Sequence, residues 1–346
     1  MKLIENSLRP ALRLASRCAV IGASLTVVAC GDEGDDAAAT GAPPTGTAPL
    51  YALMDQVYTA DDRNVYVHLT KDLDVRSLDL ADAREFPSVA NFAGIDGRIL
   101  VSSGTEPEIT EFGISDDLAW TEGRTISFAG YPLEDNANFY YQYILDKATA
   151  YMPFEATSRI IWNPADMAIE GTLTDTNVPR EVDGMLVAGG GNRNAIQFDG
   201  PVQQPFAYSN ETEEGPESVV AIYDEATNEE RSTVTLPCPG LSMASQDGGY
   251  TYYGTWDLSD RALFGLGPEP CIARLKPDLT VDEAWTTNLE EVTGGRPHNN
   301  FRAVGDGRAI ANVLHTEELE GADFDNGYDP DLADQIASSG PWWKLW

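Results

Sequence analysis

Almost every apolar run in this chain is short, rich in β-branched and aromatic residues, and closed by a polar or glycine-containing turn. Residues 64–69 (NVYVHL), 98–103 (RILVSS), 139–145 (FYYQYIL), 219–223 (VVAIY), 250–256 (YTYYGTW) and 308–314 (RAIANVL) share this form. Runs of this length and composition predict strands. The same reading expects strands at 51–59, 76–80, 89–95, 109–112, 125–128, 185–188, 205–208, 233–236, 241–244, 272–275, 284–287 and 301–304. No convincing amphipathic helix appears, and residues 329–338 would hold one or two helical turns at most.

The fullest pattern is residues 147–174 (KATAYMPFEATSRIIWNPADMAIEGTLT): a strand, a polar turn, a strand ending in Trp162, the turn Asn163-Pro164-Ala165-Asp166, and another strand. Its middle strand has relatives at 108–112 (EITEF), 218–223 (SVVAIY) and 271–275 (CIARL), each followed by a polar turn and a further β run. The copies start roughly 50–60 residues apart, the spacing of propeller blades. One small sheet cannot cover both of its faces, whereas sheets arranged radially bury each against the next. The expected fold is therefore all-β, a β-propeller of six or seven blades over residues 50–346, in preference to a β-sandwich or two small barrels. Trp162 and Met167 are expected to pack between blades. The last run, 341–346 (PWWKLW), reads as another third strand. Either residues 51–59 close the ring, or the sequence is a C-terminally truncated fragment.

The N-terminus has a different character. Residues 2–17 are basic, and residues 18–29 (CAVIGASLTVVA) are apolar but shorter than the about 20 residues that span a bilayer. The pattern is that of a signal peptide over residues 1–29. It ends in Val27-Val28-Ala29-Cys30-Gly31, which resembles the lipobox of bacterial lipoproteins: aliphatic, variable, small, then cysteine. That resemblance implies cleavage before Cys30 and acylation of Cys30, several acyl chains holding a membrane far more firmly than one. Gly31 in place of Asp implies delivery to the outer membrane. Residues 31–49, made largely of Ala, Gly, Thr, Pro and Asp, read as a disordered linker.

Charge and cysteine usage narrow the picture further. The net charge is −34. The leader holds Lys2, Arg9, Arg13 and Arg17 against Glu5, so the remainder carries −37. A surface this anionic repels nucleic acid and anionic headgroups. Of the four cysteines, Cys18 leaves with the leader and Cys30 is the acylation site, which leaves Cys238 and Cys271. Two remaining cysteines in an exported protein read as one disulfide, with a pair of buried free thiols as the alternative.

Candidate chemistry is sparse. His298 and His315 fall in one expected blade and read as ordinary polar residues. Gly240-Leu241-Ser242-Met243-Ala244 lacks the strand-to-helix context of a nucleophile elbow. Gly189-Gly190-Gly191 lacks the helix that a phosphate loop needs. Residues 323–331 (DFDNGYDPD) place four carboxylates around a glycine turn. Hard oxygen donors at that density suit calcium, although the glycine and Pro330 do not fit an EF-hand loop, and a long acidic loop is the simpler reading. No catalytic residue and no metal ligand is assigned.

Together, the lipobox, the acidic Gly/Pro linker and the segments Glu108-Ile109-Thr110, Lys147-Ala148-Thr149-Ala150-Tyr151 and Trp162-Asn163-Pro164-Ala165-Asp166-Met167 resemble a family of myxobacterial propeller lipoproteins, the MxcI-like proteins. Some of these are found with siderophore genes. They are distantly similar to Bacteroidetes surface lipoproteins that work beside TonB-dependent receptors. The resemblance spans most of residues 50–346 and its motifs are architectural. It implies a lipid-anchored protein of the outer membrane, on its periplasmic side or at the cell surface. The implied role is binding or scaffolding in iron–siderophore uptake, with an outer-membrane receptor or a siderophore as partner. It transfers no ligand-binding residues. A propeller lyase or hydrolase acting at the axial mouth, and a pure protein–protein platform, are the alternative roles.

Overall fold

The computed structural model describes residues 26–30, 50–58, 63–72, 80–86, 92–95, 97–103, 106–131, 133, 143–154, 157–187, 195–197, 200–210, 215–255, 271–285, 292–294, 296, 298–319 and 343–345. Among them the structure is almost wholly β. The first sheet runs β1 (Thr26–Cys30), β2 (Leu50–Tyr58), β3 (Arg63–Thr70), β4 (Arg84–Phe86). The second is β5 (Phe92–Ile95), β6 (Arg98–Ser102), β7 (Glu108–Ile114), β8 (Trp120–Ser127). The third is β9 (Tyr143–Ile144), β10 (Ala150–Phe154), β11 (Ser158–Asn163), β12 (Ala168–Thr174). Next come β13 (Glu181–Val182), β14 (Met185–Val187), β15 (Val202–Phe206) and β16 (Tyr208–Ser209). β13, β14 and β16 make a small separate sheet, while β15 joins β17 (Ser218–Tyr223) and β18 (Glu230–Leu236) as the fourth blade. The fifth blade is β19 (Leu241–Asp247), β20 (Tyr250–Thr255) and β21 (Ile272–Leu275), and the sixth is β22 (His298–Gly305), β23 (Arg308–Leu314) and β24 (Trp343–Leu345).

In each of the six blades, neighbouring strands are antiparallel and follow in chain order, except that β16 leaves for the small separate sheet between β15 and β17 of the fourth. Single bridges extend two of them: Ile196 to Gln203 on the inner side of the fourth, and Leu275 to Val281 on the outer side of the fifth. The middle strands of the third and fourth blades are covered on both faces. β10 and β17 are buried along their whole length, whereas the outer strand β12 alternates between half-buried and exposed. That difference is what made the middle strands read as continuous apolar runs.

The core is a series of interleaves between consecutive blades. Ala52, Val65 and Val67 of the first blade pack with Phe92, Ile99 and Phe112 of the second. Leu100, Ile109 and Phe128 of the second pack with Met152, Ile160 and Trp162 of the third. Tyr151 and Ile161 pack with Phe206, Val219 and Tyr223 of the fourth, and Val220 and Leu236 with Tyr253 and Leu275 of the fifth. The second to fifth sheets thus each bury one face on their predecessor and the other on their successor, the radial packing of a β-propeller. Trp162 is fully buried edge-to-face on Phe128, and Met167 is buried in the same cluster, as expected.

The turn between third and fourth strands repeats across four blades, and each time it contains one non-glycine residue in the left-handed region: Leu118, Met167, Asn228 and Leu279. In the second and fifth blades the turn bonds are the same pair, Leu118 N–H to Ser115 O with Ser115 N–H to Ala119 O, and Leu279 N–H to Lys276 O with Lys276 N–H to Thr280 O. Left-handed backbone is unfavourable for Leu and Met. Met167 is buried, and Leu118 and Leu279 are half-buried beside exposed turn neighbours. A bulge follows in the second, third and fourth blades, at Thr110/Phe112, Ile161/Trp162 and Ile222/Tyr223.

Several expectations shift. Residues 51–59 are β2 of the first sheet, lying between β1 and β3. Residues 284–287 do not form a strand as far as they are described: Trp285 lies in a turn, its N–H bonded to Asp282 O. β4 and β13 were not expected; both are short and polar. The run at 341–346 supplies β24, a third strand paired to β23.

Candidate functional site

Titratable groups gather most densely at the seam between the third and fourth blades. Arg159, on β11, is buried to 2% exposure, and Asp175, just beyond β12, to 5%. They form an ion pair through Arg159 Nη1 and Asp175 Oδ1. The Tyr223 hydroxyl donates to Asp175 Oδ2 at 2.8 Å. Arg159 Nη2 donates to the backbone oxygen of Asn228 at 2.6 Å, and the Tyr151 hydroxyl donates to Asn228 Oδ1 at 2.8 Å. The Arg159 guanidinium also lies 3.8 Å from the centre of the Tyr223 ring and 5.1 Å from that of Tyr151. Asn228 is the fourth-blade counterpart of Leu118, Met167 and Leu279. Asparagine tolerates the left-handed backbone, and here it turns that position from an apolar plug into a polar clasp.

The electrostatics follow from the burial. Desolvation pushes the Asp175 carboxyl above its ordinary value, against the pull of Arg159 and of the Tyr223 hydroxyl. Burial likewise raises the Tyr151 phenol to about 12 and pushes Tyr223 well above its usual range. Burial opposes the charge on Arg159, but the facing Tyr223 and Asp175 outweigh it and hold the guanidinium protonated. Cation, carboxylate and phenols are thus turned on one another. The arrangement fixes two blades in register; it is not poised for proton transfer to a substrate.

A second cluster joins blades two and three. Glu111, opposite the bulge on β8, accepts from Arg98 Nη1 at 2.6 Å and from Arg124 Nε at 2.7 Å. Arg124 then reaches the next blade's turn, donating to Ala165 O at 2.8 Å and Asp166 O at 3.1 Å. The Arg124 hydrogen bond holds the Glu111 carboxyl down at about 2. Gly123 makes room for it: a Cβ there would lie 2.7 Å from Glu111 Cγ.

The remaining seams use other chemistry. Arg84 of the first blade lies over Phe112 and Trp120 of the second, 4.5 and 5.3 Å from the ring centres. Between blades four and five the Tyr253 hydroxyl donates to Gln203 Oε1 at 2.5 Å. The same seam holds the disulfide between Cys238, which follows β18, and Cys271 at the head of β21, with Cα atoms 5.7 Å apart. Between blades five and six, the Ala303 and Gly307 amides donate to Ser245 Oγ at 2.8 Å and Asp247 Oδ2 at 2.9 Å.

The other residues singled out in the sequence are dispersed. Cys30 ends β1, paired with Leu50. His298 opens β22 opposite Val313, and His315 Nδ1 lies 3.1 Å from Glu317 Oε1. Gly240 precedes β19, so Ser242 is on a strand and not on a nucleophile elbow. Tyr253 is core, while Tyr250, Tyr252 and Trp285 stack around Arg274. The glycine run 189–191 and the acidic loop 323–331 lie outside the described residues. Among the described residues, no three His, Cys, Asp or Glu side chains gather to hold a metal ion, and no helix is long and apolar enough to cross a membrane. The inter-blade clasps escaped the sequence reading because they pair residues far apart in the chain, from 41 positions for Arg124 with Ala165 to 77 for Tyr151 with Asn228. The signal that was present, a lone arginine inside an apolar third strand at Arg159, marks a buried cation that needs a partner.

No protein-family model matches the chain, and no curated protein is similar to it in sequence. Among solved structures, the Neurospora crassa Pan2 WD40 domain is similar at 7% identity over 78% of this chain and 69% of its own, with a TM-score of 0.44. BamB from Moraxella catarrhalis is similar at 10% identity over 76% and 69%, with a TM-score of 0.40. The Dos1 propeller is similar at 8% identity over 77% and 63%, with a TM-score of 0.42. Likenesses this distant carry no inference about activity, and the β-propeller architecture rests on the chain's own blades and seams.

Proposed function

We propose that this protein is a lipid-anchored β-propeller of the outer membrane that serves as a binding or scaffolding platform in iron–siderophore uptake. The observation that carries the reading is Val27-Val28-Ala29-Cys30 ahead of an acidic Gly/Pro linker and a propeller. A platform role is supported by where the polar chemistry goes. Arg159, Asp175 and Tyr223, which in an active site would face substrate, are turned on one another between blades. A body clasped at its seams gives a rigid frame on which loops can present a surface. The siderophore assignment is supported by the family resemblance alone.

Two measurements test the two halves. Mass spectrometry of the membrane-extracted protein should find Cys30 as an acylated first residue, and Cys30→Ala should release the protein from the membrane. An unmodified Cys30 would end the anchoring. Titration of the domain with a siderophore panel should quench tryptophan fluorescence. No quenching, with normal growth of the deletion strain under iron limitation, would end the uptake role.

A further inference from the structure

The innermost strand of the first blade comes from the segment that carries the lipobox. β1 pairs antiparallel with β2, from Thr26 opposite Met54 to Cys30 opposite Leu50, and it lies against β5, the innermost strand of the next blade. Cleavage before Cys30 would remove all of β1 except that residue, while the other side of β2 stays paired with β3 from Tyr51 to Tyr58. The main-chain groups of β2 that face β1 would then lose their partners. Unpaired strand edges are ready templates for another strand.

The slot specifies what can fill it. Ala52, Leu53 and Met54 are consecutive, and all three are buried. Successive residues of a strand point to opposite faces, so the sheet is covered on both faces here. An incoming strand must therefore be apolar on both faces, because a charge on either would be buried without a partner. Thr26-Val27-Val28-Ala29 meets that requirement with small and β-branched residues. Phe92 of β5 packs in the same cluster as Ala52 and Met54, which bounds the slot on its second side. β1 itself shows that one extended antiparallel segment fits between β2 and β5.

We propose, on the footing of the lipobox reading, that processing opens the β2 edge over Leu50–Met54 as an acceptor for one antiparallel, apolar strand supplied by a partner protein. Main-chain hydrogen bonds would supply the affinity and the two-faced apolar slot the selectivity, as in other recognition by strand addition.

The test uses the natively processed protein and a synthetic peptide of residues 24–29 with a solubilising lysine tail. The peptide should bind saturably and raise the thermal midpoint, and the same peptide with Val28→Asp should bind about tenfold or more weakly. Absence of peptide binding overturns the proposal, and so does a processed protein that is a dimer dissociated by the peptide, since a second copy then fills the slot. Mass spectrometry of the same sample separates the two levels of failure. If residues 1–29 are still attached, the lipobox reading falls; if Cys30 is the first residue and no peptide binds, only the acceptor edge falls.

Discussion

Arg159 shows how much of this protein hangs on single buried groups. Removing it strands the Asp175 carboxylate in the interior, and Arg159→Met should destabilise the protein by about 3–5 kcal/mol. Adding Asp175→Asn should restore part of that loss, and chemical denaturation of both variants measures it; equal losses would mean that the pair is not coupled. Glu111 makes the matching prediction for pH. Its carboxyl is held at about 2 in the folded state against 4.5 ordinarily. Lowering of this kind stabilises the fold above about pH 4.5, and the contribution fades as the pH falls from there towards 2. With Arg124 half-exposed, the effect is on the order of 1–2 kcal/mol. Thermal midpoints of the wild type and Glu111→Gln should therefore differ at neutral pH and converge in acid. Gly123→Ala should cost about 1–3 kcal/mol, because the Glu111 side chain must move away from both arginines to admit a methyl group.

At the scale of the element, the third-to-fourth-strand turn is a device used four times with one variation. Leu118, Met167 and Leu279 fill it with apolar bulk; Asn228 fills it with a hydrogen-bonding amide. Asn228→Leu should fold, because the position accepts Leu elsewhere and the Asn228 backbone oxygen still receives Arg159. It should lose about 1–2 kcal/mol through the unpaired Tyr151 hydroxyl; no loss in a denaturation curve would mean that the hydroxyl finds water instead. The elements themselves were largely legible in the sequence wherever a strand is covered on both faces, as with β11 or β17, because such strands are continuous apolar runs. β4, with Arg84-Glu85-Phe86, and the start of β15, Val202-Gln203-Gln204, were not. Their polar residues serve seams: Arg84 lies over the neighbouring blade's rings, and Gln203 accepts from Tyr253. Trp285 misled in the opposite sense, its ring being drawn to Arg274 and not to a ladder of strands.

For the whole molecule, two properties stand out. The chain carries −34, with 56 acidic residues against 22 Lys and Arg. Self-repulsion on that scale weakens the compact state, so the thermal midpoint should rise between about 0.01 and 0.5 M salt as screening tightens; a flat response would show that the charge is spaced too widely to matter. Reduction of Cys238–Cys271, which closes a 33-residue separation, should cost roughly 3–4 kcal/mol. Fold class and blade repeat were readable because burial repeats with the blades. The site was not, since a seam is made by residues from two repeats that no local pattern connects.

The variety of the seams has a consequence for how such a chain is assembled. Blades are near-copies in shape, and a nascent chain could dock one against the wrong neighbour or skip one. Here a skipped blade would meet mismatched chemistry. Tyr151 brought to the fifth blade's turn would find Leu279 where Asn228 should be, and Arg159 would have lost Tyr223 altogether. Each junction works as a key cut for one lock, so the order of the blades is proofread by the buried polar groups while the apolar residues, common to all, supply the adhesion.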